Sequence, residues 1–122
     1  MFYTIKEISD LTNVTAHTLR YYEKVGILRD VRRKANGRRE YSEDNLAWIK
    51  VVKRLKETRM PLGEINEYVA SYFNHEDKAI RFAMLLNHKE RMQRELENIV
   101  DTIAYIDKKV GDFKMDDCDE KK

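Results

Sequence analysis

The sequence predicts a mainly α-helical fold, in which a helix-turn-helix with a basic β-ribbon is followed by one long coiled-coil helix. Three observations predict it. Two short capped helical segments stand back to back between Ile5 and Gly26. From Arg29 to Arg39, six of eleven residues are basic (Arg29, Arg32, Arg33, Lys34, Arg38 and Arg39), and the stretch contains Asn36-Gly37, the strongest short hairpin signal. From Phe82 to Val110, apolar residues recur at alternating steps of three and four.

The first helix is expected over residues 5 to 12. Thr4 and Glu7 fit a capping box, and Ile5, Ile8, Leu11 and Val14 fall at three-residue steps along one face. Asn13 leads directly into a second helix capped by Thr15 and stopped by Gly26, with Leu19 and Tyr22 on its inner face. Two short helices joined so tightly make a helix-turn-helix. Any pair of packed helices would satisfy that pattern, but a purely structural hairpin gives no reason for the basic ribbon that follows.

Tyr41 closes the ribbon and Ser42 caps a third helix, with Glu43 and Asp44 in its first turn, where the helix dipole favours acids. Leu46, Ile49, Val52 and Leu55 form its buried stripe, widened by Trp48 and Val51, and Lys50, Lys53, Arg54 and Lys56 form a solvated face. Pro61 ends that helix and opens a shorter fourth one carrying Ile65, Tyr68, Val69 and Tyr72. The heptad then places Phe82, Leu85, Lys89, Met92, Leu96, Ile99, Ile103, Ile106 and Val110 on one seam, with Lys89 its only polar member. A helix over 82 to 110 spans roughly 43 Å and cannot bury its own seam, so a second copy of the chain is the expected partner.

The organisation expected is therefore 1–75 as the helical unit with its ribbon, 76–111 as the coiled-coil dimerisation helix, and 112–122 as a flexible polar tail. With 122 residues, 38% of them charged and 10% aromatic, the chain is a charged globular protein with a modest core. Residues 1 to 59 hold 14 Lys+Arg against 8 Asp+Glu, and residues 60 to 122 hold 10 against 14. Positive charge concentrated in one half is what a chain shows when that half meets a polyanion. The single cysteine, Cys118, can neither close an internal disulfide nor build a Cys-rich metal cluster. With no signal-peptide core and no run of about 18 apolar residues, the expectation is a cytoplasmic protein without membrane contact. An enzyme finds little support. His17, His75 and His88 lack a Ser, Cys or Asp constellation, and Gly26, Gly37, Gly63 and Gly111 form no phosphate loop, so no cofactor is expected.

Four blocks carry a resemblance: T-I-K-E-I-S at 4 to 9, T-L-R-Y-Y-E at 18 to 23, N-G-R-R-E-Y-S-E-D at 36 to 44 and M-P-L-G-E-I at 60 to 65. In this order and spacing the chain resembles the MerR family of bacterial transcription regulators. The resemblance implies a winged helix-turn-helix DNA-binding domain, dimerised through an antiparallel coiled coil. It also implies a homodimer on inverted-repeat operators in double-stranded promoter DNA, distorting that DNA so that RNA polymerase can use it. By position it implies base-edge contacts from His17 and Arg20, backbone contacts from Tyr21 and Tyr22 or packing beneath the backbone, and sugar and phosphate contacts from Arg39 and Tyr41; Thr15, Thr18 and Arg38 complete the expected DNA-binding set. His17 departs from the lysine common at that place, which changes the expected sequence preference.

Read from the residues alone, Arg20 can donate bidentately to guanine O6 and N7, whereas Lys34, Arg38 and Arg39 suit phosphates. His17 is either a base contact or an exposed residue with no partner. Tyr22, three residues after Leu19, is expected to turn toward the core. The family's metal and aldehyde sensors resemble this chain but use cysteines near the start of the dimer helix or in the third helix, and none stands there. Cys118 among acids is expected to be inert and no metal site is expected. Tyr68, Tyr72 and Phe82 are candidates for an effector pocket, or simply core. An architectural, excisionase-like DNA-binding protein is the alternative, separated from a promoter regulator by the coiled coil.

Overall fold

The computed structural model describes residues 1–115, divided between a compact unit of Met1–Arg81 and a second unit from Phe82 onward. The chain forms α1 (Ile5–Thr12), α2 (Ala16–Lys24), β1 (Arg32–Arg33), β2 (Arg39–Glu40), α3 (Glu43–Glu57), α4 (Leu62–Phe73) and α5 (Lys78–Met115). Cys118 and the tail from 116 onward lie outside the described residues.

Local chemistry sets most of the boundaries. Thr4 and Glu7 form the expected capping box on α1, Thr15 accepts from the Thr18 amide at the start of α2, and Ser42 and Asn45 make a second capping box on α3. Three helices end in the same left-handed motif. After α2 the Ile27 and Gly26 amides donate back to the Tyr22 and Glu23 carbonyls, with Gly26 at φ 87°. After α3 the Met60 and Arg59 amides reach Leu55 and Lys56, and after α4 the Glu76 and His75 amides reach Ser71 and Tyr72. In each case the residue at positive φ reverses the chain. Only Gly26 takes that conformation without steric cost, since Arg59 and His75 carry a Cβ at φ 67° and 58°.

The core of the first unit is formed by Ile8, Leu19, Tyr22, Ile27, Leu28, Tyr41, Ile49, Val52, Met60, Ile65 and Val69. Two positions differ from the expected stripes. Leu11 is 57% exposed, because three-residue steps drift around an α-helix, and Thr12, four residues after Ile8, takes the inward place instead. Its hydroxyl donates to the Ile8 carbonyl at 2.8 Å, which meets the need of a buried polar group. Val51 likewise faces outward, while Ile49 and Val52 are buried. Lys53, expected on a solvated face, donates to the Thr12 carbonyl at 2.7 Å and so ties α3 to the end of α1.

The ribbon is an antiparallel pair with Arg32 opposite Glu40 and Arg33 opposite Arg39. Asn36-Gly37 does mark its turn, but not as the two central residues of a tight one. Gly37 donates to Lys34 O, Lys34 donates to Arg38 O, and only Gly37 has positive φ, which makes a three-residue loop closed by a glycine bulge. At the base of the ribbon, Tyr41 and Tyr3 exchange two backbone hydrogen bonds of 2.8 and 2.9 Å.

The second unit is helical throughout its described part. Helix α5 has 38 residues and passes through Gly111, the expected end of the dimerisation helix, to Met115. The heptad continues with it, because Phe113 falls three residues after Val110 on the same seam and is exposed.

Candidate nucleic-acid interface

One face of α2 is polar, cationic and open. His17, Arg20, Tyr21 and Lys24 are spaced at three or four residues and all are exposed, while Leu19 and Tyr22 turn inward. Lys24 was not foreseen, although its place one turn beyond Arg20 would have shown it. Thr15 is exposed at the cap, and its hydroxyl donates to that of Thr18 at 2.9 Å, so these two hold the helix start in shape. The face is braced from behind. Asn45 donates to Arg29 O at 3.0 Å and Asn66 donates to Val25 O at 2.9 Å, which fixes the linker between α2 and the ribbon from α3 and α4.

The basic residues of the ribbon fall into two groups. Arg32 lies 3.9 Å from Glu40 and its guanidinium sits 4.7 Å above the Phe2 ring. Arg33 and Arg39 both pair with Glu23 of α2, at 3.6 and 2.6 Å. Lys34 and Arg38 stand exposed at the tip, and among the described residues no acid pairs with either side chain. Arg20 is likewise exposed without a carboxylate partner among the described residues. Within α2 and the ribbon, the uncommitted cations thus stand on the outer face of the helix and at the ribbon tip, where an anion can reach them.

Two residues that the resemblance sets among the DNA contacts are in the core, Tyr22 as its spacing from Leu19 leads one to expect and Tyr41 against expectation. Tyr22 is 7% exposed and Tyr41 0%, so their rings pack under the interface rather than on it. The Tyr41 hydroxyl is buried without a hydrogen-bond partner among the described residues. Burial pushes its pKa up, opposed by the Arg39 charge and supported by Glu23, with Arg20 and Arg33 also lowering it. Burial raises the Tyr22 phenol as well. Arg39 remains at the interface, but its Nε is committed to Glu23.

The aromatic positions proposed for an effector do not share one unit. Tyr68 is half-buried and Tyr72 exposed in the first unit, whereas Phe82 belongs to the second. The ring cluster that forms is Trp48, Tyr72 and Phe73, with centroids 4.8 to 5.7 Å apart, and the Arg81 guanidinium lies 5.5 Å from the Tyr72 ring. Among the described residues no group of three or more His, Cys, Asp or Glu side chains is placed to hold a metal ion, and no helix is long and apolar enough to cross a membrane.

Comparison with known proteins gives this surface its context. The family profile described as MerR HTH family regulatory protein matches residues 3–72. The Bacillus subtilis HTH-type transcriptional regulator YyaN is 36% identical over 118 residues, covering 84% of this chain and 86% of the relative. Among solved structures, a MerR family regulator from Listeria monocytogenes superimposes with a TM-score of 0.79 at 22% identity, over 93% of this chain and 87% of that one. HiNmlR, a MerR family regulator lacking the sensor domain and crystallised bound to promoter DNA, gives 0.73 at 24% identity over 94% and 92%. At these identities the two structures establish the fold alone, while the profile and YyaN establish kinship. A winged helix-turn-helix followed by a long C-terminal helix, matched by a family profile over more than half its length, places this chain in the MerR HTH family of transcriptional regulators, which are not enzymes.

Proposed function

We propose that the protein is a homodimer that binds inverted-repeat promoter DNA and distorts it between the promoter elements, so that RNA polymerase responds to its presence. In this reading α2 enters the major groove, Arg20 and His17 meet base edges, and Thr15, Thr18, Tyr21 and Lys24 flank them. Lys34 and Arg38 of the wing hold phosphates. Arg39 acts at the root of the wing, and Tyr22 and Tyr41 support the surface from inside.

The observation that carries the reading is the separation of committed from uncommitted cations. Arg32, Arg33 and Arg39 are paired within the protein, whereas Arg20, Lys24, Lys34 and Arg38 are exposed and collected on α2 and the wing tip. Dimerisation is supported by α5. Every apolar seam residue from Phe82 to Val110 is exposed in the single chain, and a stripe of that length calls for a partner helix. A second copy with the same stripe supplies one, and an antiparallel pair would set two half-sites at a fixed spacing across a two-fold axis. Lys89 fits the seam with its stem packed and its ammonium reaching water or an acid of the partner.

The test is transcription in vitro from a promoter that carries, between its two polymerase elements, the inverted repeat enriched by the protein from randomised duplexes. Added protein is expected to change transcript yield in proportion to occupancy. Full occupancy with unchanged transcription would leave an architectural role instead.

A further inference from the structure

Arg33 and Arg39 stand directly opposite each other in the ribbon register, so two positive charges face one another across a two-stranded sheet. That arrangement is destabilising unless something neutralises it. The neutralising group comes from outside the ribbon. Glu23, in the last turn of α2, accepts from Arg39 Nε through Oε1 at 2.6 Å and faces an Arg33 guanidinium nitrogen through Oε2 at 3.6 Å. One carboxylate therefore spans both strands, with one oxygen on each. The Glu23 and Arg39 side chains are only 23% and 24% exposed, so water screens this pair less than an open surface bridge.

The ribbon needs such a tether, because each strand has two residues and an isolated hairpin of that size is marginal in water. Tyr3 fixes its base through the backbone pair with Tyr41, but the tip with Lys34 and Arg38 projects beyond that point. Glu23 connects the strands just behind the tip to α2. We propose that Glu23 is a positioning residue for DNA binding. Its carboxylate sets the stance of the wing relative to α2, and with it the distance along the DNA between base contacts from Arg20 and phosphate contacts from Lys34 and Arg38. The inference rests on the DNA-binding reading above.

Charge and position predict opposite signs. A carboxylate beside a phosphate-binding surface repels DNA, so removing its charge alone raises affinity for every duplex. Loss of the tether lowers affinity only where helix and wing must be satisfied in register. Wild type and Glu23→Gln are to be titrated against a duplex enriched by the wild-type protein from a randomised pool, and against a scrambled duplex of the same composition. Glu23→Gln is expected to bind the enriched duplex about tenfold more weakly and the scrambled duplex equally well or better. Hydroxyl-radical protection at the wing-contacted sugars should weaken while protection across the α2 site persists.

Glu23→Asp keeps the charge but shortens the side chain by one methylene, so it cannot hold both guanidiniums in the same geometry. It is expected to give a smaller fall in the ratio of enriched to scrambled affinity, and it decides the matter if Glu23→Gln melts well below wild type. An unchanged ratio in these variants, or equal weakening on both duplexes, overturns the inference while leaving DNA binding in place. A pool from which the wild-type protein enriches nothing overturns the DNA-binding reading and this inference with it.

Discussion

At Tyr41 a whole phenol is enclosed in the first unit with no hydrogen-bond partner for its hydroxyl among the described residues. A buried donor left unpaired costs stability, so Tyr41→Phe is expected to raise the unfolding free energy by about 1 kcal/mol and to bind the enriched duplex like wild type. Denaturant titration and a binding isotherm check the two halves. The same residue predicts alkaline behaviour. An unfolded phenol ionises near pH 10, and burial holds the folded phenols of Tyr41 and Tyr22 above that value. As pH rises through this window the unfolded state releases protons that the folded state keeps, so stability falls. The fall should be shallower in Tyr41→Phe, and identical alkaline curves would contradict the assignment. The surface side chains divide by a different test. Arg20→Ala should cost about 1 to 3 kcal/mol and relax preference at one base in each half-site, whereas Arg38→Ala should weaken all duplexes alike and reduce the salt slope by about 1. Binding across an operator panel at several salt concentrations separates them. The position of Arg20 was readable from the sequence because helical periodicity places it opposite Leu19 and Tyr22. The Glu23 pairing with Arg33 and Arg39 was not, because sequence shows opposite charges but not which of them meet across ten and sixteen residues.

Among the elements, the helix starts were legible because each is decided by two or three adjacent residues, as at Thr4, Thr15 and Ser42. The ends were less so. Gly26 announces its left-handed turn, but Arg59 and His75 adopt the same conformation without the residue that signals it. That mismatch makes a prediction. Arg59→Gly and His75→Gly should each stabilise the first unit by about 0.5 to 1 kcal/mol, because relief of the left-handed strain exceeds the backbone entropy glycine adds to the unfolded chain. Gly26→Ala should destabilise by a similar amount. Thermal unfolding of the three variants checks this, and a lower melting temperature for both glycine substitutions would show that the side chains of Arg59 and His75 contribute more than their backbones cost. The inward face of α1 was misread at Leu11 for a geometric reason. Steps of three residues drift by about 60° each on a helix of 3.6 residues per turn, so the fourth-residue position, Thr12, faces the core even though it is polar. The dimerisation helix is expected to close at Gly111, but with nothing within 4 Å of its Cβ position the glycine sits in open space within α5, which continues to Met115.

For the whole molecule the decisive feature is the length of exposed apolar surface on α5. The seam runs from Phe82 through Val110 to Phe113, and Leu96 at its middle is 60% exposed in the single chain. If a second chain covers it, Leu96→Asp buries an unpaired charge and should yield monomers that no longer hold an inverted repeat, read by light scattering and by loss of binding. Lys89→Leu should raise the melting temperature if the ammonium only snorkels. The heptad was readable from sequence because its period is a property of the chain alone. The partner that covers the seam is not, since any matching stripe would satisfy the same pattern. The central claim, that two copies read one operator, is tested most directly by the mass of the protein–DNA complex. Native mass spectrometry of the wild-type chain on the enriched inverted-repeat duplex should show two chains per duplex, with no stable one-chain species at half saturation. A single chain per duplex at saturation would contradict the account.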